Sequence, residues 1–213
     1  MLYYARKYIR GRDGMGQILA STALINQGMA AMLGPGSVAA LNYGNKLIAV
    51  PINIGTTALG TAVIPYFSLM VAKNDWAGIR HTIKRYFGLI FSVAIPATTG
   101  LILGAEPLVR VIYERGAFTP EDTRLVAPVL AFFALQLPFY IAGTLLVRLI
   151  SAMLANHILM ISSLVSVLLS VSLNYFFMKK LGVAGIALST SCVYLGSFLF
   201  LHFSWRWISK KYR

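Results

Sequence analysis

Apolar side chains in this chain come in long runs separated by short polar punctuation. The runs are too long for strands and too uniformly apolar for the narrow buried stripe of a surface helix. Six stand out, over about 15–34, 37–72, 86–104, 123–147, 157–178 and 183–205. Each nears or exceeds the roughly 20 residues that carry a helix across a hydrocarbon core of about 30 Å. The pattern therefore predicts an all-α membrane protein with six transmembrane helices. Gln17, Asn26 and Gln27 dilute the first run. The second is too long for the bilayer at about 1.5 Å per residue, so it must kink, tilt or project into water. Pro51 is the expected kink, because it removes one backbone donor from the helix. Gly34-Pro35-Gly36-Ser37 predicts a tight turn between the first two helices, with Ser37 as N-cap.

The loop after the third run is densely punctuated. Glu106-Pro107 opens a short helix whose Leu108, Val109, Ile112 and Tyr113 reach the interface, and Gly116 is placed to end it. Thr119-Pro120-Glu121-Asp122 reads as an N-cap, a proline at the first helical position and acids in the first turn. That predicts a sharp start to the fourth span. Pro138 is expected to kink this span in mid-membrane, with Gln136 offering a polar group nearby.

Charge changes the picture at one point. Between Asp13 and Lys73 the only charged side chain is Lys46. A helix starting at Ser37 carries it roughly 15 Å down, close to mid-bilayer. A lone ammonium at that depth costs at least about 2.5 kcal/mol. No Asp or Glu lies in any of the apolar runs to pair with it. At 100° per residue Asn42, Asn45, Lys46, Ala49, Asn53, Thr56, Thr57 and Gly60 share a face, opposite Leu41, Leu47, Ile48, Ile52, Ile54 and Leu59. A polar, small-residue face on a membrane helix predicts a wet cavity, with Lys46 as its anion-binding group. Snorkelling to the interface is the competing reading and suits this depth poorly.

The other basic residues report orientation. The net charge is +13 and the mean hydropathy +0.72, with 58% hydrophobic residues. A nucleic-acid protein needs its basic groups as a patch on a soluble fold; here they form short clusters between apolar runs. Thirteen of nineteen fall on one side, at Arg6, Lys7, Arg10, Arg12, Lys73, Arg80, Lys84, Arg85, Arg148, Arg206, Lys210, Lys211 and Arg213. By the positive-inside rule both termini are cytoplasmic, which an even number of spans requires. Residues 1–14 are then a basic cytoplasmic segment, 15–205 a six-helix lobe and 206–213 a basic cytoplasmic tail. Trp76, Tyr86, Trp205, Trp207 and Tyr212 sit at expected interfaces as anchors.

Catalytic chemistry is not predicted. The lone Cys192 excludes a disulfide framework, and the isolated His81, His157 and His202 give no metal-ligand spacing. No phosphate-cradling glycine loop or nucleophile-and-base pattern occurs, so no cofactor or catalytic residue is expected. Ser162, Ser166, Ser170 and Asn174 recur every fourth residue in the fifth span. They allow a hydroxyl-lined path or a close helix seam, and the seam is the commoner use. Gly185 and Ser189 in the sixth span read the same way.

Three motifs carry a resemblance. Gly36-Ser-Val-Ala-Ala-Leu-Asn-Tyr-Gly-Asn-Lys-Leu47 followed by Pro51 resembles the segment opening the second lobe's long bent helix in the MurJ (MviN) lipid II flippases. Glu114-Arg115-Gly116-Ala117-Phe118-Thr119, with Asp122-Thr123 after it, is similar to that family's outer-loop signature. Leu173-Asn174 and then Leu181-Gly182-Val-Ala-Gly185-Ile-Ala-Leu188 is similar to a turn late in the same lobe. The resemblance implies the multidrug/oligosaccharidyl-lipid/polysaccharide exporter superfamily, in which two six-helix lobes alternate access to a central cavity. It implies the C-terminal lobe only, with an N-terminal lobe as partner. The implied substrate is lipid II, the undecaprenyl-pyrophosphate-linked peptidoglycan precursor, carried across the bacterial inner membrane. Lys46 matches a basic position, usually arginine, that engages the pyrophosphate in the family. A lysine there offers a point charge in place of a bidentate fork. Asn42, Asn45 and Asn53 are the accompanying cavity residues, with Pro51 and Pro138 as kink or gating points. Residues 151–157 are shorter and more apolar than the family's usual cytoplasmic loop. A flippase lobe for another polyprenyl-linked glycan and a non-transporting membrane scaffold are the alternatives.

Overall fold

A computed structural model describes residues 22–211, and the side chains of all of these except 60–65 and 210–211. The basic segment 1–14, the start of the first run, the side of Gly60 and the end of the tail lie outside the described residues. Helix α1 covers 22–31. It is followed by α2 (Ser37–Ala72), α3 (Trp76–Leu103), α4 (Ala105–Tyr113), α5 (Pro120–Ala134), α6 (Leu137–Ala152), α7 (Asn156–Leu181) and α8 (Val183–Lys211). Among the described residues α3, α7 and α8 are each long and apolar enough to cross a membrane. The α5–α6 pair, bent by 42°, makes a fourth if taken as one broken span. The short α1 segment and the 36-residue α2 are not in that set.

Turn chemistry accounts for the helix boundaries. Gly36, at φ 82°, is the N-cap of α2 and Ser37 its first helical residue, with no side-chain cap. The N-cap expected at Ser37 is thus displaced by one residue: the chain needs a left-handed residue to leave the turn, which glycine adopts without cost. Asp75 caps α3, its carboxylate accepting from the Gly78 N–H at 2.8 Å. The cap sets the helix start at Trp76, about ten residues before the apolar run, so the basic stretch around Arg80 is already helical. Thr119 caps α5 in a full capping box with Asp122, and Pro120 opens the helix, as its sequence predicts. Helix α4 ends at Tyr113, and Gly116 instead provides the positive φ, 61°, inside the following turn. The turns after α2 and α6 share one hydrogen-bond pattern, Asp75 N–H to Met70 and Ala155 N–H to Ile150. Each places a non-glycine residue in left-handed backbone, Asn74 and Leu154.

The broken span lies at the centre of the bundle. Leu130, Leu137, Leu145, Leu146, Leu149 and Ile150 are fully buried. Half of α8's apolar window is buried too, against 17% for α3 and 22% for α7. The latter two turn Leu89, Val93, Leu103, Leu164, Leu168 and Phe176 outward, where lipid chains replace a protein core. Glycine lets helices close up on α2: a Cβ at Gly44 would lie 2.7 Å from Val129, and one at Gly55 2.6 Å from Ile141. A Cβ at Gly185 would collide with the Phe177 carbonyl across the tight α7–α8 turn.

The break between α5 and α6 follows from the sequence. Pro138 has no N–H for the Ala134 carbonyl four residues back, and the Thr98 hydroxyl of α3 donates to that carbonyl at 3.3 Å. The Gln136 N–H turns to Phe133. The Phe132 carbonyl so released accepts from Ser191 of α8 at 2.6 Å. Side chains from two other helices thus hold the carbonyls that the bend frees.

Candidate functional site

The polar face of α2 borders a cavity of about 240 Å³ between α1, α2, the α5–α6 break and α8. Asn42, Asn45, Ala49 and Asn53 line it from α2, and Asn26 and Gln27 from α1. Gln136, Tyr140, Thr190 and Tyr194 close the inner side. Asn42, Asn45 and Asn53 are therefore brought together. Lys46 is not with them: it lies outside this lining, exposed, with its ammonium 5.9 Å from the centre of the Tyr43 ring. The helical phase explains the difference. The cavity centres between Asn45 and Ala49, and Lys46 falls on the flank beyond Asn42. No ion pair among the described residues includes Lys46; the two present join Arg110 to Glu106 and Glu114. It borders the site as a cation unpaired among the described residues.

The outer-loop signature is a structural corner beside that cation. Glu114 accepts a 2.8 Å hydrogen bond from Thr123 and meets Arg110 at 3.5 Å, tying the end of α4 to the first turn of α5. Arg115 donates to the Val111 carbonyl and Thr119 caps α5. Phe118 packs against Tyr43 edge-on at 5.4 Å, the Tyr113 ring meets Tyr43 at 4.8 Å with the planes tilted by 58°, and the Tyr113 hydroxyl donates to the Tyr43 carbonyl at 3.4 Å. Burial, and to a lesser degree Tyr43, raises the Tyr113 phenol above its ordinary range. The signature thus fixes Tyr43, one turn of helix before Lys46.

Behind the cavity lies a hydrogen-bonded junction that sequence reasoning missed. The Asn26 amide donates to Thr190 at 3.0 Å, and its oxygen accepts from Asn174 at 2.7 Å and Ser170 at 3.4 Å. All four residues are buried. With Ser166 and Ser197 in contact at 2.7 Å, the serine stripe of α7 is a polar seam against α1 and α8. The sequence signal was present in the four-residue period, but Asn26 looked only like a weakness in the first run. Pro51 lies within an uninterrupted α2 and Pro138 in the first turn of α6. Among the described residues no group of His, Cys, Asp and Glu could hold a metal ion.

An outward-facing multidrug transporter of the MATE family, in the MOP superfamily, shares this fold at a TM-score of 0.75 and 16% identity, over 89% of this chain and 41% of that one. A lipid II flippase MurJ in an inward closed conformation matches at a TM-score of 0.75 with 26% identity, over 87% of this chain and 39% of that one. The family model for lipid II flippase MurJ matches residues 14–211. The chain belongs to the MurJ lipid II flippase family. A probable lipid II flippase MurJ from Synechocystis is 35% identical over 163 residues, 76% of this chain and 31% of that protein. One from Bdellovibrio bacteriovorus is 28% identical over 184 residues, 86% of this chain and 35% of that protein. The chain spans about a third of the length of the curated relatives it matches. It is a multipass membrane protein.

Proposed function

We propose that this chain is the C-terminal lobe of a lipid II flippase. With an N-terminal lobe it moves undecaprenyl-pyrophosphate-linked peptidoglycan precursor across the bacterial inner membrane by alternating access. Six spans, about 15–34, 37–72, 86–104, 123–147, 157–178 and 183–205, make the lobe, and both termini face the cytoplasm. Pro51 and the break at Pro138 are its bending points. A single lobe forms one wall of a cavity and rocks against its partner, and coverage of about a third of the relatives fits that division.

The observation that carries the site is Lys46, a cation beside the polar cavity on α2 that joins no ion pair among the described residues. Lys46 engages the pyrophosphate as a point charge, while Asn42, Asn45 and Asn53 form the neutral part of the same wall. Lys46→Ala, measured by lipid II translocation in proteoliposomes of the two-lobed transporter, is expected to lose transport while keeping its unfolding temperature. Lys46→Arg is expected to retain it. Full transport by Lys46→Ala would remove the anion site from this reading.

A further inference from the structure

Gln136 combines burial, a place in the cavity wall and a side chain without a partner among the described residues. It is 3% exposed, at the break between α5 and α6, and it lines the cavity. Its backbone is satisfied: the N–H reaches Phe133 and the carbonyl accepts from Tyr140. Its side-chain amide makes no hydrogen bond to any described residue. A carboxamide has two donors and an acceptor to satisfy, and that of Gln136 is not among the fully buried unpartnered groups of the bundle, so its needs are met from the cavity. The neighbouring Asn26, by contrast, donates to Thr190 and accepts from Asn174 and Ser170 inside the protein. Gln136 instead lines the cavity with its amide groups uncommitted.

The rest of the lining narrows what that is. No charged side chain is among the lining residues, and Lys46 lies outside it. A phosphate entering this space would lose hydration without gaining a cation. A hydrocarbon would leave Gln136 and the asparagines unpaired. Asn42, Asn45 and Asn53 offer both donors and acceptors, and Gln27 meets Asn42 only at 3.5 Å, a weak restraint. Tyr140 and Tyr194, with ring centres 4.8 Å apart, add two faces with an apolar body and a polar tip. The volume, about 240 Å³, is that of roughly eight waters at about 30 Å³ each. That suits one sugar ring or an acetamido arm.

We infer that this pocket holds a neutral acetamido sugar of the lipid-linked substrate, with Gln136 as its buried hydrogen-bonding anchor and Lys46 outside it holding the phosphates. The assignment rests on the reading of the chain as a flippase lobe and deepens it. Charge and sugar are thereby read by separate groups on either side of Asn42.

The test is saturation-transfer NMR on the purified protein in lipid nanodiscs, with N-acetylglucosamine as the neutral probe and inorganic pyrophosphate as the charged one. Gln136→Leu is expected to weaken the sugar by at least about tenfold, as a hydrogen-bonding site loses its discriminating group, and to leave pyrophosphate unchanged. Lys46→Ala is expected to do the reverse. Asn45→Ala, on an exposed stretch of α2, should weaken the sugar less, and it serves if Gln136→Leu fails to fold. No sugar signal in the unaltered protein, or a signal indifferent to both Gln136 and Asn45, would leave the cavity to water and overturn the assignment. Pyrophosphate binding indifferent to Lys46 beside a Gln136-dependent sugar signal would overturn the anion site alone.

Discussion

Replacing Asn26 with leucine tests whether the α1–α7–α8 junction holds the lobe together. The change removes the bonds to Thr190, Asn174 and Ser170. Side-chain hydrogen bonds between membrane helices average about 0.6 kcal/mol each, so their loss amounts to about 2 kcal/mol. Asn174 makes the cost larger. It is fully buried, and its own oxygen already has no partner. Losing Asn26 strands the whole amide, which adds about 1–3 kcal/mol. Asn26→Leu should therefore destabilise by about 3–5 kcal/mol in denaturant unfolding from mixed micelles, followed by circular dichroism. The coupling is the sharper measurement. With Asn26 gone, Asn174→Ala removes a stranded group and should cost little, so the two changes should miss additivity by about 1–2 kcal/mol. Independent sites add to within about 0.5 kcal/mol. Additive costs from the pair would refute the junction as an energetic unit, whatever its distances.

Three further outcomes follow from the geometry. Thr119→Ala removes the α5 capping box and should cost about 1 kcal/mol in the same unfolding assay, with Thr119→Asp restoring most of it. Leu154→Gly should stabilise by up to about 1 kcal/mol, because a left-handed leucine, 69% exposed, carries strain that glycine lacks. Tyr113 holds its proton more tightly folded than unfolded, so its contribution is intact below the ordinary value of 10.0 and is lost as pH rises through the folded one. Tyr113→Phe should flatten that alkaline loss, and at neutral pH cost under about 1 kcal/mol for the 3.4 Å bond to the Tyr43 carbonyl.

Local signals were legible in the chain, and long-range ones were not. Thr119-Pro120-Glu121-Asp122 states its helix start within four residues because every interaction involved is local. The serine stripe announced a seam by its period. What the seam closes on was hidden, since Asn26 lies 144 residues from Ser170 and 148 from Asn174. Lys46 shows the limit of a helical wheel. Placing it on the polar face was sound to within a fraction of a turn, but that fraction separates the lining of the cavity from its rim. Gln136 was visible as a polar group near a proline. Its importance depends on having no partner among the described residues, which only the packing of α3 and α8 around the break reveals.

The hydroxyls at that break have a mechanical meaning. A peptide N–H that meets a carbonyl four residues back clamps the pitch of the helix. A hydroxyl on its own rotor imposes no such gauge, and Thr98 and Ser191 hold the Ala134 and Phe132 carbonyls from outside the span. Above the break, α5 is moored by Glu114, Thr123 and the capping box. Below it, α6 has no such mooring at its first turn, where Gln136 provides no side-chain cap. The span is a stiff mast stepped on a ball joint, and the joint sits beside the pocket, so a load placed there is felt first where the helix gives most easily.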